Sequence, residues 1–224
     1  MPTVLVVGAT RGIGLEFARQ YAADGARVFA TFRRPQDSDM LRALGAKALA
    51  LDALDPASIA ALGRHLDGQP IDVALLVAGV YGPETAGLDV PSLEEFDQVM
   101  RTNVLAPMQL IALLARSLET AQGKLVAISS RMGSIGLATD TAGWLYRASK
   151  AGLNSAVKSA SIQLGARGVV CMSLSPGWVR TDMGGPSARL DVRDSVAAMR
   201  RVVAAANRSH NGRFLQYTGE QLEW

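Results

Sequence analysis

A tyrosine and a lysine stand four residues apart, at Tyr146 and Lys150, a spacing that puts both side chains on one face of a helix. A free phenol has a pKa of about 10, too high for efficient proton exchange at neutral pH. Lowering it to about 7 takes roughly 4 kcal/mol, which one positive charge about 4 Å away supplies at an effective dielectric of about 20. The pair is a candidate general acid or base. The alternative is a lysine that extends to solvent along a half-buried tyrosine.

Two serines, Ser129 and Ser130, end an apolar run upstream of this pair. A hydroxyl at the mouth of a sheet can donate a hydrogen bond to a substrate carbonyl and hold it for hydride attack. The same hydroxyls could instead satisfy backbone groups at the end of a strand.

Three glycines, Gly8, Gly12 and Gly14, lie between a short apolar run and a helical pattern. Glycine allows a sharp turn and a close approach to a pyrophosphate, and the following helix N-terminus offers amide donors. The spacing is G-x3-G-x-G, not the usual G-x-G-x-x-G. An ordinary strand-to-helix turn is the alternative, but the position between apolar strand and helix favours a dinucleotide site.

The choice of dinucleotide depends on the end of the second apolar run, which reads Phe32-Arg33-Arg34. NAD sites usually carry an acidic residue there for the ribose 2′-hydroxyl, and none is present. Two of Arg11, Arg33 and Arg34 could clamp a 2′-phosphate through their guanidinium groups. Solvated surface arginines are the alternative. We expect NADP(H) in preference to NAD(H).

The elements that must position these residues alternate along the chain, short apolar runs with longer helical patterns. This predicts an α/β fold, a single Rossmann-type, doubly wound parallel sheet of about seven strands with helices on both faces. Ligands bind such sheets beyond the carboxyl ends of the strands. The predicted strands are 4–7, 27–32, 46–51, 71–78, 125–129, 169–174 and 214–217, and the predicted helices are 12–23, 40–44, 56–66, 92–119 with a bend at Pro107, 144–164 and 191–205.

Composition narrows the class of protein. With 224 residues, 49% of them hydrophobic and 19% charged, the chain can bury a large core, and we expect one domain over 1–224. The net charge of +3 is not clustered, so we expect no nucleic-acid or membrane partner. A single cysteine, Cys171, fits a reducing compartment, and two isolated histidines predict no metal site. Without a signal peptide or an 18-residue apolar stretch, we expect a cytoplasmic location.

The order of these motifs is specific even though each is weak alone. The glycine turn, Asn103, Ser130, Tyr146-x3-Lys150 and the run Pro176–Asp182 follow one another. In this order the chain resembles the short-chain dehydrogenase/reductase family over essentially its whole length. The nearer likeness is to the C-factor-like and sniffer-like carbonyl reductase branch, and it is carried by 129–135, 146–151, 212–215 and Trp224.

The resemblance implies a role for each matching residue. Tyr146 would donate a proton to the carbonyl oxygen, and Lys150 would hold the nicotinamide ribose and lower the tyrosine pKa. Ser130 would orient the substrate, and Asn103 would support a water that relays protons through Lys150. The implied cofactor-binding residues are Gly8, Thr10, Arg11, Gly12, Ile13, Gly14 and Arg33, then Asp52 and Ala53 by the adenine, Ala78 and Gly79 by the adenosine ribose, Pro176, Gly177, Val179 and Thr181 by the nicotinamide, and Tyr146 with Lys150.

Three departures from the family pattern affect these expectations. Leu76-Val77 replaces two asparagines that would tie loops together, which puts the rigidity of the adenosine side in question. Ser130 lies 16 residues before Tyr146, a longer gap than usual, so the loop 136–143 must bulge outward for the serine to reach the site. The stretch between Thr181 and Asp191 is short, which implies an open site and permissive substrate selection.

Two function hypotheses follow. The first is an NADPH-dependent reductase of small aldehydes or ketones, reversible toward secondary alcohols. The second, which the C-factor resemblance keeps open, is a cofactor-binding signalling or regulatory protein with little turnover. Family members often pair through the long helices, so a homodimer or homotetramer is an open alternative to a monomer.

Overall fold

Seven parallel strands form one sheet in the computed structural model, which describes residues 1–85 and 87–224. In chain order they are β1 (Thr3–Val7), β2 (Arg27–Phe32), β3 (Lys47–Ala50), β4 (Val73–Leu76), β5 (Lys124–Ile128), β6 (Val170–Ser175) and β7 (Arg213–Gln216). Across the sheet their order is β3-β2-β1-β4-β5-β6-β7, so the direction of winding reverses between β1 and β4. The predicted doubly wound parallel sheet is confirmed.

Helices cover both faces of this sheet. They are α1 (Gly12–Ala23), α2 (Ser38–Ala43), α3 (Pro56–Leu66), α4 (Leu93–Met100), α5 (Ala106–Ala121), α6 (Trp144–Gly165) and α7 (Val192–Ala205). Successive side chains of β1 point to opposite faces: Val4 and Val6 pack with α1, α2 and α7, whereas Leu5 and Val7 pack with α3, α5 and α6. A strand buried on both faces needs the unbroken apolar run from which β1 was predicted.

The long helix predicted over residues 92–119 is divided in two. A π-helical turn, Arg101–Leu105, lies between α4 and α5, and Pro107 stands in the first turn of α5. Proline has no backbone N–H, so the regular bond to the carbonyl four residues earlier is missing, and a wider turn replaces the predicted bend. At its start, α4 has a capping box, in which Ser92 and Glu95 each accept a bond from the other's backbone N–H.

The combined helix Leu93–Ala121 is long and apolar enough to cross a membrane by length and composition alone. This differs from the expectation of no 18-residue apolar stretch, although one long helix was predicted over these residues. Its buried leucines, among them Leu110, Leu114 and Leu118, pack against the sheet with α3 and α6. Its apolar character therefore has an explanation in the core of an α/β fold.

Candidate active site

A cleft of about 340 Å³ opens at the carboxyl ends of the central strands. It lies where the winding reverses between β1 and β4, the place where open α/β sheets bind ligands. Residues from the loops after β1 to β6 form its walls, and α4, the π turn and α6 close one side.

The glycine turn lines this cleft at the carboxyl end of β1. Gly8 has a left-handed φ of 85°, and a Cβ there would lie 2.8 Å from the Ala78 backbone nitrogen. A Cβ on Gly14 would collide with the Gly8 carbonyl, so the turn has no room for a side chain at either of these two positions. Helix α1 begins at Gly12 without a side-chain cap and without an acidic residue in its first turn. Its free amides and positive dipole end suit an anionic ligand.

Of the three candidate arginines, two face the cleft. Arg11 and Arg33 line it, whereas Arg34 lies outside and donates two hydrogen bonds of 3.1 Å to Asp37. Arg11 is paired with Asp182 across the cleft at 2.9 Å, and the two side chains are 68% and 76% exposed. Such an exposed pair contributes little to stability, so an incoming phosphate could replace Asp182 as the partner of Arg11.

Most of the residues predicted to bind a cofactor line this cleft. They are Gly8, Thr10, Arg11, Gly12, Ile13, Gly14, Arg33, Asp52, Ala53, Ala78, Gly79, Tyr146, Lys150, Pro176 and Thr181. Two others do not: Gly177 packs near Leu190 and Tyr217, and Val179 is buried and pairs with Leu190 in a β-bridge. In the loop after β6, these two residues lie against Leu190 and face away from the cleft.

Several lining residues were not predicted. The lining residues at or next to the carboxyl ends of the strands could have been predicted, because side chains alternate in direction along a strand and some of those at its end face the cleft. Gln98 and Thr102 come from α4 and the π turn, and only the tertiary fold brings them there. Of the two candidate serines, Ser129 lines the cleft. The residues missed are Val7, Thr31, Phe32, Leu51, Leu54, Val77, Val80, Gln98, Thr102, Ile128, Asp182 and Met183.

Tyr146 and Lys150 stand together in the wall of the cleft, on one face of α6. The two residues are only 7% and 4% exposed. Lys150 Nζ lies 5.6 Å from the centre of the Tyr146 ring and donates a hydrogen bond of 2.9 Å to the Ile128 carbonyl. The helical spacing therefore produces the side-by-side arrangement that general acid–base chemistry requires.

Burial, rather than the lysine charge, dominates the acidity of this tyrosine. Burial raises the pKa of Tyr146 to about 12; a hydrogen bond with the Ser130 side chain lowers the pKa, and Tyr81 raises it. Burial also lowers the pKa of Lys150 to about 8. Burial outweighs the lowering expected from Lys150, whose Nζ donates to a backbone carbonyl and lies over the ring. The phenol accordingly keeps its proton at neutral pH and can donate it.

Ser130 meets Tyr146 from the end of β5 but does not itself line the cleft. It caps a short 3-10 turn, Arg131–Gly133, and its Oγ accepts a bond of 3.1 Å from Met132 N. The turn packs tightly on α6, since a Cβ on Gly133 would lie 2.8 Å from Lys150 Cβ. Residues 135–136 and 138–142 are exposed, so the extra length before Tyr146 lies outward as expected.

Asn103 is buried in the π turn, and its side chain does not line the cleft. Its Oδ1 accepts from Val80 N at 2.9 Å, and its Nδ2 donates to Val80 O at 2.7 Å and to Ser149 Oγ at 2.9 Å. Ser149 Oγ in turn donates to the Tyr146 carbonyl at 2.8 Å. The amide thus joins the loop after β4 to α6. The group of Asn103 that loses its regular helical partner is its main-chain carbonyl, because Pro107 has no N–H.

The loop after β4 is held in place even though Leu76-Val77 replaces two asparagines. The Val77 and Ala78 amides both donate to the Val7 carbonyl, at 3.0 and 3.1 Å. Together with the Asn103 amide on Val80, they fix the loop without the two missing asparagines.

Comparison with known proteins agrees with this geometry. The sequence profile of the short chain dehydrogenase family matches residues 2–191. The chain is 41% identical over 156 residues to the C-signal protein of Myxococcus xanthus, which covers 69% of this chain and 93% of that protein. It is similar to the crystal structure of the NADPH-bound carbonyl reductase from chicken fatty liver, with a TM-score of 0.91, 31% identity and coverage of 100% and 94%. It is also similar to the carbonyl reductase Sniffer of D. melanogaster, with a TM-score of 0.93, 29% identity and full coverage of both chains.

Proposed function

The chain belongs to the short-chain dehydrogenase family, and on this premise we propose that it is an NADP(H)-dependent carbonyl reductase. It transfers a hydride between the nicotinamide and a small aldehyde, ketone or secondary alcohol. The observation that carries the proposal is the buried Tyr146–Lys150 pair in the wall of a cleft that the glycine turn also lines. The residues that suit a dinucleotide and the proton donor Tyr146 therefore line the same cleft.

The cleft residues suit each part of NADP(H). The free amides at the start of α1 would bind the pyrophosphate, and Arg11 with Arg33 would bind the 2′-phosphate. Asp52 and Ala53 would adjoin the adenine, and Lys150 would hold the nicotinamide ribose. The bound cofactor supplies the hydride.

In the direction of reduction, the side chains manage one proton. Ser130 orients the substrate carbonyl, and Tyr146 donates its proton to the carbonyl oxygen as the carbon receives the hydride. Lys150, charged at neutral pH, stabilises the phenolate that remains. A proton from solvent then restores Tyr146, which balances the conversion of one carbonyl, one NADPH and one proton to an alcohol and NADP⁺.

Tyr146→Phe tests this assignment. The experiment measures NADPH oxidation with a panel of aldehydes, ketones and diketones. We expect carbonyl-dependent oxidation by the wild type and its loss, by at least about a hundredfold, in the variant, because general acid catalysis contributes about that factor or more. Equal turnover by the variant, or no turnover with any substrate, would refute the proposal.

The similarity to the C-signal protein supports a second candidate, a cofactor-binding signalling protein with little turnover. A pure binder has no use for a tyrosine held at Ser130, so the reductase is the better account of the site. We also propose one domain over residues 1–224, a cytoplasmic location, and partners limited to small molecules and further copies of this chain. Sedimentation measures the last of these.

A further inference from the structure

A second tyrosine covers the proposed proton donor. The rings of Tyr81 and Tyr146 lie with their centres 4.7 Å apart and their planes at 31°. Tyr81 is half-buried and does not line the cofactor cleft, whereas Tyr146 does. Tyr81 therefore contacts Tyr146 from outside the cleft that is proposed to hold the cofactor. No pattern in the sequence pointed to this contact, because the two residues are 65 positions apart.

The backbone that presents Tyr81 is held firmly. Asn103 bonds both the N–H and the carbonyl of Val80, the residue immediately before Tyr81. The same amide reaches Ser149, which bonds the Tyr146 carbonyl. One buried side chain thus links the backbone next to Tyr81 to the backbone of Tyr146.

The far end of Tyr81 fits a space that Gly143 keeps open. Gly143 has a left-handed φ of 61° just before α6 begins. A Cβ there would lie 2.9 Å from Tyr81 Cζ, collide with its hydroxyl, and meet Met132 Cε at 3.3 Å. Glycine is required twice, for the backbone conformation and for the room it gives Tyr81.

We propose that Tyr81 is a positioning residue for the reaction, whose ring clamps the Tyr146 ring so that its hydroxyl stays at Ser130. This rests on the proposed function, in which Tyr146 is the proton donor. An aromatic pair in this offset arrangement contributes about 0.5–1.5 kcal/mol beyond the area it buries, enough to select one ring orientation. A small error in the orientation of a proton donor costs much of its catalytic effect.

The clamp also keeps water from the ring. Among residues 1–85 and 87–224, the charged or titratable groups that face Tyr146 are Lys150 over its ring and Tyr81, and the Ser130 hydroxyl bonds it. Since burial is the main cause of the raised pKa of Tyr146, removal of the Tyr81 ring lowers that pKa toward its ordinary value.

The variants Tyr81→Phe and Tyr81→Ala separate the ring from the hydroxyl. We expect Tyr81→Phe to keep kcat within about twofold of wild type, and Tyr81→Ala to lose about tenfold in kcat. KM for NADPH stays within about twofold in both, because Tyr81 is outside the cofactor cleft. Tyr21→Phe, which removes a tyrosine hydroxyl from α1 outside the residues that line the cleft, is the matched control.

A spectroscopic titration measures the pKa of Tyr146 independently of catalytic activity. Tyrosinate absorbance is followed against pH in wild type, Tyr81→Ala and Tyr21→Phe, with Tyr146→Phe to identify the transition. We expect the Tyr146 transition to move to lower pH in Tyr81→Ala and to stay in place in Tyr21→Phe. If Tyr81→Ala does not fold, as judged by thermal melting, Tyr81→Leu replaces it with the same expected directions.

Wild-type kcat and an unmoved transition in the alanine variant would overturn the proposal. So would a phenylalanine variant as slow as the alanine variant, since the hydroxyl and not the ring would then matter. A wild type without any carbonyl-dependent turnover refutes the proposed function instead, and the titration still reports whether Tyr81 shields Tyr146.

Discussion

Replacing Arg33 by alanine should separate NADPH from NADH binding. Arg33 lines the cleft at the end of β2, where NAD sites carry an acid, and among the described residues it makes no ion pair. Its guanidinium is therefore available to a 2′-phosphate, a group that NADH lacks. Arg34, one residue on, is bound to Asp37 and lies outside the cleft.

The size of the effect follows from these contacts. A hydrogen bond to a charged group contributes about 1.5–3 kcal/mol. Because about 1.4 kcal/mol corresponds to tenfold in affinity, Arg33→Ala should weaken NADPH binding by roughly 10- to 150-fold. Arg11→Ala should cost less, because Arg11 must first leave Asp182. NADH affinity should change by less than about twofold in Arg33→Ala.

The assay is a fluorescence titration of each variant with NADPH and with NADH at low and moderate salt. Arg34→Ala is the matched control, with the same loss of charge at the neighbouring position and wild-type affinity expected. Equal weakening of both cofactors in Arg33→Ala would place Arg33 against a part that they share. An Arg34→Ala effect as large as that of Arg33→Ala would mean that the charge of the region matters and not contact with the 2′-phosphate.

Two further predictions concern stability and the glycine turn. Lys150→Met should raise the unfolding free energy at pH 7 by about 2 kcal/mol. The variant removes a buried charge whose cost is seen in the lysine pKa, which burial lowers from 10.5 to about 8. The loss of the hydrogen bond to Ile128, worth about 1 kcal/mol, offsets part of this gain. Between pH 8 and 10.5 the folded wild type binds fewer protons than the unfolded chain, so the wild-type unfolding free energy rises with pH over this range. The difference in unfolding free energy between the variant and the wild type should therefore shrink. Denaturant titrations in which this difference grew from pH 8 to 10.5 would contradict the prediction. Gly8→Ala should abolish measurable NADPH binding, whereas Gly25→Ala, also at positive φ but with nothing within 4 Å, should cost only about 1 kcal/mol of stability. Calorimetry measures both, and unimpaired NADPH binding by Gly8→Ala would show that the turn can widen.

Local features of the fold could be predicted from the sequence because their causes are local. The glycine turn follows an apolar run directly, and α1 and β2 have the predicted bounds. The π turn could not be predicted in the same way. Pro107 signals that a hydrogen bond is missing, but how the backbone repairs the gap depends on the packing of α4 and α5.

In the candidate site, too, the features that depend on sequence spacing could be predicted, and those that depend on the tertiary fold could not. Tyr146 and Lys150 share a helix, so their spacing alone places them together. Arg33 and Arg34 are adjacent, and which of them faces the cleft depends on side-chain direction at the end of β2. The pKa of Tyr146 in the protein without cofactor could not be predicted from this spacing, because burial, which no spacing reveals, raises it to about 12.

The order of the strands also constrains when the chain can fold during synthesis. Val4 of β1 pairs with Val28 of β2 on one side and with Val73 of β4 on the other. At about 5–20 residues per second, the 69 residues from the one after Val4 through Val73 take roughly 3–14 s to synthesise. Throughout that time β1 has an unpaired apolar edge, the kind of surface that aggregates or recruits chaperones. Because the cleft lies between β1 and β4, the nascent chain cannot gain stability from a nucleotide until β4 has closed that edge.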